Sequence, residues 1–78
     1  MNITIYSKDN CPQCRTAIQL VRQKGHEPEV IKLGQDITRE QLLELAPGAR
    51  MMPQVAIDGK IIGSLRDLVD HFNRLDQT

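Results

Sequence analysis

The sequence predicts a small α/β domain with its elements in the order βαβ-α-ββα. Three observations carry that prediction. The apolar run Ile3-Thr4-Ile5-Tyr6 leads into a helical pattern, and a second apolar run follows Pro28. Thr38-Arg39-Glu40-Gln41 has the pattern of a helix-starting capping box. Asp58-Gly59 separates two short apolar runs, the signal of a tight antiparallel hairpin.

Each element follows from local chemistry. Asn2 to Tyr6 reads as the first strand, with Ile3 and Ile5 on one face. Arg15 to Lys24 reads as a helix, because Ala17, Ile18, Leu20 and Val21 recur at helical spacing and Gly25 stands where a C-terminal cap falls. Glu29 to Leu33 is the second strand, and the helical crossover makes it parallel to the first. After the capping box, with Ile37 and Leu42 placed as a hydrophobic staple, a short helix runs to Ala46 and stops at Pro47-Gly48. Gln54 to Ile57 and Lys60 to Ile62 form the hairpin. Ser64 starts a last helix with Leu65, Leu68, Val69, Phe72 and Leu75 on one stripe, and the final polar residues fray.

At 78 residues the chain is one domain, spanning residues 1–78 without repeats or linkers. Ten basic and ten acidic residues cancel, so no large field favours nucleic acid. No run approaches the roughly 20 apolar residues of a membrane-spanning helix. The N-terminus has neither a basic start nor a signal-like apolar stretch, so the reducing cytoplasm is the expected compartment.

The chemistry concentrates in the chain's two cysteines, Cys11 and Cys14, a Cys-x-x-Cys motif between the first strand and the first helix. Backbone N–H groups at a helix start are unpaired and carry the positive end of the dipole, so a thiolate is favoured there. A cysteine three residues on lies one turn away, close enough for a disulfide. So short a loop adds little as a staple, which favours exchange chemistry over bracing. Cys11 is the expected nucleophile, with Lys8 and Arg15 supplying local positive charge, and Cys14 the resolving thiol. The alternatives are two reduced core cysteines or half of a metal site. Zinc wants about four ligands, and only His26 and His71 add to the pair, at spacings unlike a zinc finger, so no metal ligand is assigned. Pro12 fits a first helical turn, where its missing N–H costs no hydrogen bond.

Taken together, the strand, Cys11-Pro12-Gln13-Cys14, the helix, Met52-Pro53-Gln54-Val55 ahead of a hairpin and Ile62-Gly63 ahead of a last helix resemble glutaredoxins over nearly the whole chain. The resemblance implies a thioredoxin-like three-layer fold with a mixed four-stranded sheet and a cis proline at Pro53. It implies a monomeric thiol–disulfide oxidoreductase that reduces protein disulfides and glutathione mixed disulfides through a reversible Cys11–Cys14 disulfide. Glutathione is then co-substrate and reductant, with no bound cofactor. Disulfide-bearing proteins are the partners, with ribonucleotide reductase a family-level candidate.

The glutathione groove implied by the resemblance comprises Tyr6, Lys8, Gln13, Met52, Pro53, Gly63, Ser64 and Arg66. Lys8 would meet the glycyl carboxylate, and the Met52 backbone would pair with the cysteinyl unit as an added strand. The start of the last helix would hold the γ-glutamyl end, with Ser64 both capping and binding. Several positions depart from the family pattern. Gln13 replaces the usual Tyr, Met51-Met52-Pro53 stands for Thr-Val-Pro, Gly63-Ser64 for Gly-Gly, and Arg66 falls where an acidic residue is common. Gln13 is also similar to NrdH-type redoxins, which take electrons from thioredoxin reductase. Two electron donors therefore stay open, beside a third reading as a zinc or iron–sulfur module.

Overall fold

In a computed structural model that describes residues 1–49 and 51–76, β1 (Ile3–Ser7) is an inner strand, paired on both sides. β2 (Glu29–Lys32) runs parallel to it, and β3 (Gln54–Ile57) antiparallel. β4 (Lys60–Gly63) closes the far edge, giving the order β2-β1-β3-β4. α1 (Pro12–Gln23) makes the parallel crossover, α2 (Arg39–Leu45) links β2 to β3, and α3 (Leu65–Asp76) ends the fold. The element order and the mixed four-stranded sheet are those expected.

Strand alternation divides the core in two. Ile3 and Ile5 face Ala17 and Val21 of α1 and Leu68 and Phe72 of α3, with Val55 completing the cluster. Each fully buried aliphatic side chain there contributes about 1.5–3 kcal/mol. Tyr6 and Ala56 point to the opposite face, where Leu42 of α2 covers them. Helices on both faces of one sheet make the three layers.

The element ends show local rules meeting tertiary ones. β1 is displaced by one residue from the expected Asn2–Tyr6. Asn2 is held by the hairpin turn instead, since its N–H donates to Asp58 Oδ1 at 2.8 Å and its C=O accepts from Asp58 N–H at 2.8 Å. α1 begins at Pro12 rather than Arg15, and ends at the Lys24 cap before Gly25 in the left-handed region (φ 86°). β2 stops at Lys32, because the chain turns at once: Asp36 N–H donates to the Lys32 carbonyl at 2.8 Å. Leu33 still donates its N–H to the Ser7 carbonyl at 2.8 Å and otherwise keeps an isolated bridge to Ile37. The hairpin turns on Asp58 (φ 51°) and Gly59 (φ 84°), the two positive angles a two-residue turn of this kind requires. β4 runs on to Gly63, with a register shift that leaves Ile62 unopposed and re-aims the entry to α3.

The predicted stripe on α3 is narrower than expected. Leu68 and Phe72 are buried and Leu65 packs against the core, whereas Val69 and Leu75 are 38% and 44% exposed. A single line of contact with the sheet covers residues four apart, and Val69 lies one step round the helix from it. His26 and His71 pack around Phe72, with ring centroids 6.2 and 6.1 Å away, remote from the cysteines in sequence and helix end. Gln77 and Thr78, where fraying was expected, lie outside the described residues.

The capping box forms as the sequence predicts. Gln41 N–H donates to Thr38 Oγ1 at 3.1 Å, and Thr38 N–H donates to Gln41 Oε1 at 2.9 Å. Ile37 and Leu42 meet in the second core cluster. α2 has only 7 residues, too few to hold itself together by propensity. Thr38→Ala is therefore expected to cost about 1 kcal/mol, read as a lower urea midpoint with an unchanged slope.

Candidate active site

The end of β1 delivers a short loop that places Cys11 as the N-cap of α1, in extended geometry (φ −120°, ψ 95°). Pro12 is the first helical residue, so the helix starts without an orphaned donor there. Cys14 N–H points back and donates to Cys11 Sγ at 3.1 Å. The two sulfurs are joined as a disulfide, with Cα atoms 5.2 Å apart, so the structure is the oxidised form. No acidic residue stands in the first turn of α1 to oppose the helix dipole. Asp9, two residues upstream, pairs with Lys32 Nζ at 3.3 Å. Cys11 is 6% exposed and Cys14 2%, so Cys11 is the outer sulfur of the pair.

One hollow opens on the two cysteines, a second shares Lys8 with it, and a third reaches Gln13 of the motif. The first, about 200 Å³, joins the two cysteines to Lys8, Asn10, Arg15 and Lys32. The second, about 400 Å³, holds Lys8 and Arg39 over an apolar floor of Leu42, Leu43, Met51 and Met52. The third, about 360 Å³, brings Gln13, Ser64 and Arg66 together with Met51, Leu65 and Val69. Met51 is the wall between the second and third. Among the described residues no group of three or more His, Cys, Asp and Glu is arranged to hold a metal.

The residues expected in the groove are thus partly gathered. Lys8 and Met52 share one hollow, and Gln13, Ser64 and Arg66 another. Gly63 lines a fourth, beside Met51, Gln54 and Ser64. Pro53 follows a cis peptide, as expected, and its side chain is fully buried. Tyr6 is placed elsewhere. Strand alternation turns it to the α2 face, where it packs with Leu42 and Ala56 and lines a depression with Ile31, Ile37 and Glu44. It serves the core rather than the cysteine face.

Three contributors escaped the sequence reading. Arg39, the first residue of α2, comes to the same hollow as Lys8. Gln54 is only 6% exposed and donates through Nε2 to the Met51 carbonyl at 2.7 Å, pinning the loop before Pro53. Asp67 occupies the start of α3: its Oδ2 accepts from Ser64 N–H at 2.9 Å and from Ser64 Oγ at 3.3 Å. Ser64 therefore caps α3 in partnership with Asp67, and both of its donors are engaged there. Gly63 is needed beside them, because it takes φ 127° and a Cβ there would run into the Asp67 carboxylate. A serine followed three residues later by an acid was the available signal.

Residues 3–62 match the family model of glutaredoxins. The chain belongs to the glutaredoxin family. It is 34% identical over 68 residues to glutaredoxin 3 of Escherichia coli, covering 86% of this chain and 81% of that one. It is 41% identical over 71 residues to a hybrid peroxiredoxin of Haemophilus influenzae, covering 91% of this chain but only 29% of that longer protein. Among solved structures it resembles a buckwheat glutaredoxin–glutathione complex at a TM-score of 0.80 and 28% identity, covering 92% of this chain and 68% of that chain. The glutaredoxin is a thiol–disulfide oxidoreductase working through Cys11 and Cys14.

The geometry orders the two thiols. A thiolate on Cys11 keeps the Cys14 N–H and the open helix start, whereas Cys14 lies inside the first turn. Iodoacetamide is expected to label Cys11 before Cys14 below neutral pH. Cys11→Ser should abolish disulfide reduction, and Cys14→Ser should trap a mixed disulfide, visible by mass spectrometry. Faster labelling of Cys14 would reverse the assignment.

Proposed function

We propose that this glutaredoxin is reduced by glutathione and in turn reduces protein disulfides and glutathione mixed disulfides. The observation that carries the reading is the hollow lined by Lys8, Arg39 and Met52, with Lys8 also lining the hollow that holds the two cysteines. Two cations suit a carboxylate. Among the described residues the Met52 backbone makes no hydrogen bond, so its N–H and C=O are available to an extended peptide. The glycyl carboxylate of glutathione then lies between Lys8 and Arg39, its cysteine along Met52, and its γ-glutamyl end toward Ser64, Arg66 and Gln13. That a similar buckwheat protein has been solved with glutathione supports the same reading.

The chemistry proceeds by two exchanges. Cys11 thiolate attacks the glutathione sulfur of a mixed disulfide and expels the protein thiolate. A second glutathione thiolate attacks that glutathione sulfur, releasing glutathione disulfide and restoring Cys11. With a protein disulfide, Cys14 instead attacks the Cys11 sulfur, releases the reduced protein and leaves the Cys11–Cys14 disulfide for two glutathiones to reduce. The reading includes action as a monomer in the cytoplasm, where a reducing pool sustains the cycle, and ribonucleotide reductase as one protein target.

Arg66 cannot accept a hydrogen bond from the γ-glutamyl ammonium, and Asp67 is engaged by Ser64. Glutathione-linked turnover is expected to be measurable but modest. Lys8→Ala and Arg39→Ala should raise KM for glutathione more than they lower kcat, and Arg66→Asp should lower KM. Activity with thioredoxin reductase and none with glutathione would overturn the reading in favour of a redoxin.

A thiolate accepts the Cys14 N–H more strongly than the disulfide sulfur does and gains from the positive helix start, so the reduced form is favoured. Equilibration with glutathione buffers is therefore expected to give a potential of roughly −200 to −230 mV, above thioredoxin's roughly −270 mV. A value at or below the latter would also favour the redoxin.

A further inference from the structure

The chain is neutral overall, yet its charge is segregated around the cysteines. Lys8, Arg15, Arg39 and Arg66 line the three hollows beside the motif, and none of them makes an ion pair among the described residues. With Lys32 that makes five cations against three carboxylates on the same side: Asp9, which pairs with Lys32, Asp67, which accepts from Ser64, and Asp70. A separate depression beside α2, lined by Tyr6, Ile31 and Ile37, has the reverse character, with Asp36 and Glu44 and no cation. Between Arg39 and Arg66 lies an apolar ridge open to solvent. Met51 is 59% exposed and forms its crest, and Leu43 and Val69 are each 38% exposed on its flanks. A methionine adapts its shape to different apolar partners.

Resting on the disulfide-exchange reading above, we propose that the protein substrates of this glutaredoxin present their disulfide on an acidic, apolar segment. An apolar side chain next to the disulfide seats on Met51, and carboxylates on either side meet Arg39 and Arg66. Opposite charges speed encounter and fix the direction in which the segment crosses the site. Cys11 thiolate attacks one sulfur of the segment's disulfide and expels the other as thiolate. Cys14 then attacks the Cys11 sulfur and releases the second thiolate. The segment gains two electrons, and the protein gains its Cys11–Cys14 disulfide.

The test uses the pre-reduced full chain in single turnover, with no glutathione present. Two synthetic peptides carry the same internal disulfide and the same adjacent leucine, flanked on both sides by glutamates in one and lysines in the other. The acidic peptide is expected to be reduced about tenfold faster or more at low salt, since charge steering spans about 10–10³ in rate. That preference should shrink as salt is added. In the Arg39→Glu/Arg66→Glu double variant the order of the peptides should invert. Both sites are exposed and lie in the first turn of a helix, where glutamate suits the dipole and folding is retained. Met51→Ser should slow both peptides without changing their order. Equal rates for the two peptides in the wild type, a preference that ignores salt, or a preference that survives the double variant would each overturn the proposal. So would a wild-type dimer made monomeric by Met51→Ser, because a second copy would then be what covers the ridge. Glutathione-linked turnover is measured separately. A flat peptide order with intact glutathione turnover removes this inference alone, and a clear peptide order without glutathione turnover removes only the choice of reductant.

Discussion

The constraint on which the site depends is the seat of Cys11 at the first cap of α1. A sulfur at that position accepts the Cys14 N–H at 3.1 Å, the bond that a serine or aspartate oxygen makes at an ordinary helix start. The disulfide sulfur thus stands where a structural cap would, and on reduction a Cys11 thiolate at that seat is favoured by the same N–H and the helix dipole. This works only if nothing negative competes. The first turn carries no acid, and Asp9 is drawn aside by Lys32. The residue that begins the helix is a proline, which asks for no acceptor of its own. The reactive atom and the start of α1 are therefore one feature, and a change to either is felt by both.

The sheet order turns that local device into a groove. β1 carries the cysteine loop at one end, and β3, antiparallel beside it, begins at the same end with Gln54 opposite Tyr6. The Met51–Pro53 loop that feeds β3 therefore arrives next to Cys11, some forty residues away along the chain. Gln54 holds it there through the Met51 carbonyl, from a buried position where an unpaired amide would be costly. The bulge in β4 then directs Gly63 and Ser64 back toward the same loop. α2 adds Arg39 from the other side. Each wall of the groove comes from a different part of the sequence, and the inner strands bring them together.

What could be read from sequence divides along this line. Features made by neighbours within about four residues were legible: the Cys-x-x-Cys helix start, the capping box at Thr38, the two-residue hairpin turn at Asp58-Gly59. Features set by strand pairing were not. Tyr6 passed for a groove residue because its face depends on which side of the sheet the cysteines lie. Val69 and Leu75 fit a helical stripe, but the sheet and α1 cover a single line of α3. Arg39 looked like an ordinary capping-box residue, since its approach to Lys8 needs β1, β2 and α2 all in place. Asp67 lies within local reach, three residues after Ser64, and carries the acid half of a serine-to-acid cap.

The charge balance shows the same difference between sum and arrangement. A net charge of zero argues against long-range attraction to a polyanion. At the scale of a Debye length, about 8–10 Å, a ligand meets only the charges lining its own hollow. Around Cys11 those are mostly positive, because five cations, Lys8, Arg15, Lys32, Arg39 and Arg66, stand against three carboxylates, Asp9, Asp67 and Asp70. In the depression beside α2 the imbalance is opposite. The excess of cations lining the hollows thus sets the sign of the field a substrate encounters. The departures from the family pattern at Arg66 and Met51 fall on this cation-rich side, beside Gln13 of the cysteine motif.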